Sequence, residues 1–484
     1  MPEKPNKTGK VLGVFSLAMI NVALICSLRG LPMMSVYGLS IVFFLLVAVI
    51  VFLIPVSLVS AELATAWPKQ GGIYAWVRQA FGEKWGFIAI TLQWVQNLVF
   101  YPTALAATAA VIAFLINPDL ANNKIFTLSV IIVVYWVALL INFKGMKISG
   151  MVTSIGTMLG ILLPGLVLVI LGIAWLVSGE ASQIPLTLSA FAPDLSKFSN
   201  IVFLSGMFLF FAGIEVSGVH AMEVKDPKKD YPKAIFISAA LVTAIFLLGS
   251  LAIAIIIPNS EISLTAGIMQ TFSAVFNKFH MAWAVPAIAI LAAPGMIVQV
   301  STWIAGPSRG LLATAKNGDL PPFFQQMNDH HMPTHIMIVQ GIVVSVISVI
   351  FLLMPSVSSS FWILTALAAM LYLTVYIIMF LAALKLRISE PKTERPYRVP
   401  GGKYGIWVFS IVGILACAFA IILGLVPPSQ YPTGNLLFYE AFLIIGYGIL
   451  VLIPFVVFDF RKPSWKKFYK TEGQLTPGEE KDAS

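Results

Sequence analysis

Long apolar runs separated by short polar turns recur along nearly the whole chain. Each is long enough for the ~20-residue helix that crosses ~30 Å of hydrocarbon. Twelve can be read, at approximately 11–37, 39–64, 86–116, 125–143, 150–178, 200–222, 233–257, 282–313, 335–354, 360–386, 405–426 and 436–458. They are continuous and too long for the alternating strands of a transmembrane barrel, so the pattern predicts an all-α integral membrane protein with 12 transmembrane helices. The first run passes straight into a second span without a small-residue cleavage site, and reads as a span, not a cleaved signal.

Polar residues interrupt this pattern at two equivalent places. Arg29 lies within Ser27-Leu28-Arg29-Gly30-Leu31-Pro32 of the first run, and Glu215 within Ala212-Gly213-Ile214-Glu215-Val216-Ser217-Gly218 of the sixth. A charge at mid-bilayer depth costs about 2.5–3.5 kcal/mol even on lenient insertion scales, so it faces a cavity, a partner or a substrate route. Glycine and proline beside it loosen the helical ladder, and irregular backbone at that depth is tolerated where protein or a water-filled cavity covers it. The alternative use of such glycines is tight helix packing. Finding both interruptions at the head of a group of five spans predicts broken helices 1 and 6 in a 5+5 inverted repeat. The chain then divides into an N-terminus at 1–10, a first five-helix repeat at 11–178, a second at 200–389, accessory helices 11 and 12 at 404–459, and a short tail at 460–484.

Composition agrees with this division. Only 11% of the 484 residues are charged against 59% hydrophobic, and no stretch has room for a sizeable soluble domain. With the N-terminus in the cytoplasm, 26 of the 30 Lys and Arg fall on the cytoplasmic side, Lys124, Lys197 and Lys278 fall outside, and Arg29 stays within the membrane. That asymmetry predicts a multi-pass protein of the cell inner membrane with both termini cytoplasmic. The formal charge of +9 is then topology and attraction to anionic membrane lipids, and points to no nucleic acid. Cys26 and Cys417 both lie in predicted helices and offer neither a disulfide framework nor a metal cluster. No nucleotide loop, nucleophile elbow or zinc spacing appears, so the expectation is no enzyme, no cofactor and no metal.

Broken helices supply chemistry of their own. Half-helix N-termini offer free N–H groups and C-termini free carbonyls, which together suit a zwitterion such as an amino acid. The amides near Gly30 to Met33, Gly213 and Gly218 are candidates for an α-carboxylate. Arg29, a fixed cation with a planar fork, has three readings: it binds an acidic substrate side chain, it neutralises Glu215 across the site, or it snorkels to one face. Glu215 is a candidate proton-coupling residue, the alternative being a carboxylate that only satisfies neighbouring backbone donors. Tyr372 and Tyr376, four apart in span ten, share a helix face and could close over a ligand, or simply pack. Gln93 and Asn97, four apart in span three, carry amides that need partners. Phe210 and Phe211 are candidate gate residues. Ser301 and Thr302 in span eight could ligate sodium or bond within their own helix. His330, His331 and His335 read as a solvated loop, with pH sensing the alternative. The segment from Trp67 to Trp76 predicts an interfacial or re-entrant helix.

These residues resemble the amino acid/polyamine/organocation superfamily, and within it the bacterial glutamate/γ-aminobutyrate antiporters. The resemblance covers almost the whole chain. It rests on Ala61-Glu62-Leu63-Ala64 followed by Gly71-Gly72-Ile73-Tyr74-Ala75-Trp76-Val77, on Gly213-Ile214-Glu215, on Glu223 to Tyr231-Pro232 with Asp226-Pro227 between, on Ile262 to Phe272, and on Gly306-Pro307-Ser308-Arg309-Gly310. It implies a leucine-transporter-type fold and exchange of an amino acid for its decarboxylated amine, in effect consuming protons. By that likeness Glu215 matches the acidic residue of the sixth helix, and Tyr372 and Tyr376 the tyrosines of the tenth. Three features depart from the pattern: Arg29 and its neighbours stand where those exchangers carry aromatic and acidic residues, Gln299 stands where a glutamate is expected, and the tail is too short for their cytoplasmic plug. The expectation is an amino acid antiporter of glutamate-like cargo. Its rivals are a neutral or aromatic amino acid permease of the same fold and, from another class, a nutrient receptor that binds without sustained transport.

Overall fold

The computed structural model describes residues 13–68, 71–145, 156, 158–216, 224 and 226–466. Eleven helices among them are long and apolar enough to cross a membrane. They are preceded by a shorter helix, α1, at Val14–Ile25. The eleven are α2 (Gly38–Ala66), α3 (Glu83–Ile116), α4 (Lys124–Asn142), α5 (Met158–Val177), α6 (Phe198–Val216), α7 (Lys229–Ile256), α8 (Ala284–Lys316), α9 (Thr334–Leu353), α10 (Val357–Ser389), α11 (Gly402–Gly424) and α12 (Leu436–Asp459). The run predicted at 11–37 is not one continuous helix. It stops at Ile25 and resumes as a 3-10 turn at Leu28–Gly30 and a short helix at Leu31–Ser35, neither piece being long enough alone to span.

Burial separates the helices by role. Of the most apolar window of each, α10 buries 83%, α6 78% and α3 72%, whereas α12 buries 17%. The first three therefore form the centre, and α12 turns its apolar surface outward, as suits a helix solvated by lipid. Within the centre, α3 packs chiefly against α8 and α10, while α1 lies along α7.

Proline and glycine shape these helices. In α2 and α5 a π turn, at Val49–Leu53 and Met158–Leu162, leads within two residues to Pro55 and Pro164, whose missing N–H interrupts the regular ladder. In α8, Pro307 cannot donate to the carbonyl of Trp303 four residues earlier; the Tyr101 hydroxyl of α3 donates to it instead at 2.8 Å. Helices α5 and α8 cross backbone on backbone at Gly160 and Gly295, where a Cβ on Gly160 would sit 2.4 Å from the Cα of Gly295.

The Trp67–Trp76 segment contains a tight turn, with Gly71 at φ +120° and Gly72 at φ +51°, followed by a short helix at Ile73–Phe81. A helix at Gly267–Lys278, between α7 and α8, was not anticipated as an element. The loop after α10 is tied to the end of α2 by one carboxylate. Glu62, 3% exposed, accepts from Arg387 Nη2 at 2.5 and 2.6 Å and from the Val399 N–H at 2.8 Å, with Arg395 Nε 3.3 Å away.

Candidate functional site

The two interruptions share one local plan. In the first, α1 ends at Ile25, Cys26 and Ser27 are extended, and a 3-10 turn follows at Leu28–Gly30 with Arg29 at its centre. In the second, regular helix ends at Phe211, Ala212 is extended and Gly213 takes φ +111°, and a 3-10 turn follows at 214–216 with Glu215 at its centre. Only the second break needs a left-handed glycine. The first opens two to three residues before Arg29, earlier than the sequence suggested, because Cys26 and Ser27 carry no turn signal.

The 3-10 turn also uses amides that were expected to be free. Gly30 N–H donates to the Ser27 carbonyl at 3.4 Å, and Leu31 N–H to Leu28. Gly213 N–H is shared between Glu215 Oε2 at 3.1 Å and the Tyr376 hydroxyl at 2.8 Å. Gly218 lies outside the described residues.

Glu215 is 1% exposed and held by both tyrosines of α10. The Tyr372 hydroxyl donates to Oε1 at 2.7 Å and the Tyr376 hydroxyl donates to Oε2. Gln93 Nε2 reaches the Tyr372 oxygen at 3.4 Å, and Asn97 donates to the Gln93 carbonyl at 2.8 Å. The predicted residues of spans three, six and ten thus form one connected set.

Arg29 belongs to a different set. It is 3% exposed, so its head group does not snorkel to either face in this conformation, and among the described residues its hydrogen bond goes to a hydroxyl and not to Glu215. Its Nη1 donates instead to Thr103 of α3, whose hydroxyl in turn donates to the Phe100 carbonyl at 2.7 Å. The guanidinium carbon lies 4.3 Å from the Phe100 ring centroid and 4.9 Å from that of Phe210. Arg29 Nε is buried without a hydrogen-bond partner. Gly30 makes the stack possible, since a Cβ there would be 2.8 Å from the Phe210 ring.

Both sets meet at one cavity. Ser27 and Arg29 of the first break, Phe210 and Ala212 of the second, Gln96, Asn97 and Phe100 of α3, Gln299 and Trp303 of α8, and Tyr372 of α10 line it. Its volume is about 30 Å³, room for a water and not for an amino acid, so the site is closed in this conformation. Gln299 Nε2 donates to the Cys26 carbonyl at 3.2 Å, satisfying an acceptor that the break of α1 leaves free.

The other sequence candidates fall as follows. Phe210 lines the cavity; Phe211 does not, and packs on Phe246 of α7 with centroids 5.3 Å apart. Ser301 accepts from Asn142 of α4 at 2.7 Å and Thr302 donates to the Val298 carbonyl at 3.0 Å, so both hydroxyls offered for sodium have protein partners. His330 and His331 are exposed, and His335 lies against Phe323. Gln96, Phe100, Thr103 and Trp303 were missed. Gln96, Phe100 and Thr103 repeat at helical spacing on α3, beside the face already chosen for Gln93 and Asn97, and that repeat was the available signal.

An all-helical membrane chain whose interrupted helices meet at a buried cavity lined by polar and aromatic side chains has the build of a solute carrier. A family model described as amino acid permease matches residues 12–450, and the chain belongs to that family, within the amino acid/polyamine/organocation superfamily. It is a family of transporters, not of enzymes. An uncharacterized transporter of Legionella pneumophila is 44% identical over 93% of this chain and 97% of its own. The glutamate/γ-aminobutyrate antiporter of Lactococcus lactis is 30% identical over 93% of this chain and 90% of its own. A probable agmatine/putrescine antiporter of the same species is 27% identical over 87% and 90%.

Proposed function

We propose that the protein is an antiporter that exchanges a glutamate-like amino acid for its decarboxylated amine by alternating access. The observation that carries this reading is the cavity itself: two breaks of the same plan, one centred on a cation and the other on a carboxylate, converge on one closed site. Such paired discontinuities are where secondary carriers of inverted-repeat build hold their cargo. Support also comes from the two Lactococcus antiporters, each named for a pair of small solutes.

In this reading α1 with the short helix at Leu31–Ser35 forms a twelfth, broken span, giving a leucine-transporter-type 5+5 repeat over 11–178 and 200–389, with α11 and α12 accessory. The inner membrane houses the chain with both termini in the cytoplasm. The cavity between the two breaks takes the zwitterion once the half-helix ends exchange their present partners for it, Asn97, Gln96 and Tyr372 line its path, Phe210 closes over it, and Glu215, reached from the cavity through Tyr372, takes up and releases the coupled proton. A cavity this small admits cargo only when the surrounding elements part, as alternating access requires.

Aromatic Phe100, Phe210 and Trp303 in the lining favour a second reading, a permease for neutral or aromatic amino acids. Burying an unpaired guanidinium beside such a cargo would be costly, which favours the acidic one.

The test is exchange in proteoliposomes. Vesicles loaded with unlabelled glutamate, γ-aminobutyrate or a neutral amino acid are given labelled glutamate outside. Uptake that requires internal glutamate or its amine supports the antiporter. Uptake into empty vesicles at the same rate, or uptake of neutral amino acids with no glutamate entry, overturns it.

A further inference from the structure

Among the described residues, the Arg29 guanidinium makes one hydrogen bond, to Thr103, and its Nε is buried without a partner in a side chain that lines the cavity. Buried donors of this kind are normally satisfied, so the missing partner points to a ligand. Phe100 and Phe210 occupy the space around the guanidinium. Where rings cover the faces of a guanidinium, what remains open is its rim of N–H groups, which matches a carboxylate and not an amine.

We propose that Arg29 is the receptor for the carboxylate that both exchange partners share, the distal one, and that Phe100, Phe210 and Thr103 are its positioning residues. This rests on the antiporter reading for the identity of the two cargoes. Decarboxylation of glutamate removes the α-carboxylate as CO₂ and leaves the amine and the distal carboxylate on the product. A site that depended on the α-carboxylate would lose its hold on the outgoing cargo, whereas one that reads the distal carboxylate holds both. The cargo is therefore an ω-carboxylate amine, with or without an α-carboxylate. Polyamines, which bring only positive charge to a fixed cation, are excluded.

Direct binding to the purified full-length protein in detergent tests this separately from transport. The probes are glutamate, γ-aminobutyrate, 4-aminobutanol, which replaces the carboxylate by a hydroxymethyl group, and putrescine, measured by calorimetry. The expected result is that glutamate and γ-aminobutyrate bind while the other two do not. Arg29→Lys then weakens both ligands by roughly tenfold or more. Thr103→Val weakens both by several-fold, and Thr103→Ser, which restores the hydroxyl, recovers wild-type binding, a rescue that a merely structural role for the threonine methyl would not give. Gel filtration and helix content establish that each variant is folded; if Arg29→Lys is not, the Thr103 pair and the 4-aminobutanol comparison decide. Binding of 4-aminobutanol or putrescine as tight as that of γ-aminobutyrate overturns the proposal, as does an unchanged affinity in Arg29→Lys, or a failure of both carboxylate ligands to bind. Arg29-dependent binding of both without exchange in vesicles leaves the receptor standing and removes the antiporter.

Discussion

Substituting Glu62 by alanine tests whether the tie between α2 and the loop after α10 stabilises the fold. The carboxylate is buried and serves three donors from one short stretch more than 300 positions away along the chain: Arg387 at 2.5 and 2.6 Å, Arg395 at 3.3 Å and the Val399 amide at 2.8 Å. Arg395 is itself only 7% exposed, and its other bonds go to the neutral carbonyls of Leu386, Glu390 and Thr393. Removing the carboxylate leaves two guanidiniums without their counter-charge and a backbone N–H without its acceptor. Breaking a buried pair in this way costs about 3–5 kcal/mol, and an orphaned amide about 1–3 kcal/mol, so the loss lies near the upper part of that range once local relaxation is allowed. Removing both charges, as in Glu62→Ala with Arg395→Met, costs less than the sum of the single changes, with a coupling of about 2 kcal/mol. Denaturant titration of the detergent-solubilised protein, followed by tryptophan fluorescence, gives the four corners of this cycle, and repetition at high salt separates buried from surface pairing. Strict additivity, or a Glu62→Ala loss below about 0.5 kcal/mol, the range of an exposed pair, would refute the reasoning.

Three further outcomes follow from the geometry. Gly213→Ala forces a Cβ onto a residue at φ +111° and costs about 1–2 kcal/mol, visible as a lower melting temperature, while Gly306→Ala, inside α8 with open space around it, carries no such loss and gains up to about 1 kcal/mol from helix propensity. Tyr376→Phe deletes a donor to buried Glu215 and an acceptor for the Gly213 amide, and lowers the exchange rate roughly tenfold or more with the protein still folded; an unchanged rate and pH profile would separate Glu215 from coupling. Asp319, just past α8, is pushed up to about 6 from an ordinary 3.8, first by burial and then by the nearby Glu83 carboxylate, against the lowering effect of Arg461 3.2 Å away. A raised folded-state value means that its stabilising contribution is complete below about 4 and is lost as the pH rises through about 6, so melting temperature falls across that window and Asp319→Asn flattens the fall.

The spans were legible because hydrocarbon imposes one demand on every residue of a crossing helix, and the breaks because a charge at that depth needs a reason. The exact opening of the first break was not, since Cys26 and Ser27 have ordinary side chains and their extended backbone answers to Gln299, more than 270 positions away along the chain. Likewise the i, i+4 spacing of Tyr372 and Tyr376 showed that they share a face but not that the face meets Glu215. The partner of Arg29 was the least accessible. Pairing with Glu215 was the economical expectation from two opposite charges, yet the 3-10 turn that carries Arg29 meets α3 at Thr103 and Phe100, and that contact has no periodic signature.

The central claim, that the closed cavity between the two breaks is the transport route, is tested most directly by a single cysteine at Ser27 in a Cys26→Ala, Cys417→Ala background, reconstituted in sealed vesicles that retain exchange. A membrane-impermeant thiol reagent applied to either face should modify it, glutamate should slow modification from both, and modification should abolish exchange. Reaction from one face alone, or labelling that glutamate does not slow and that leaves exchange intact, would contradict alternating access at this site.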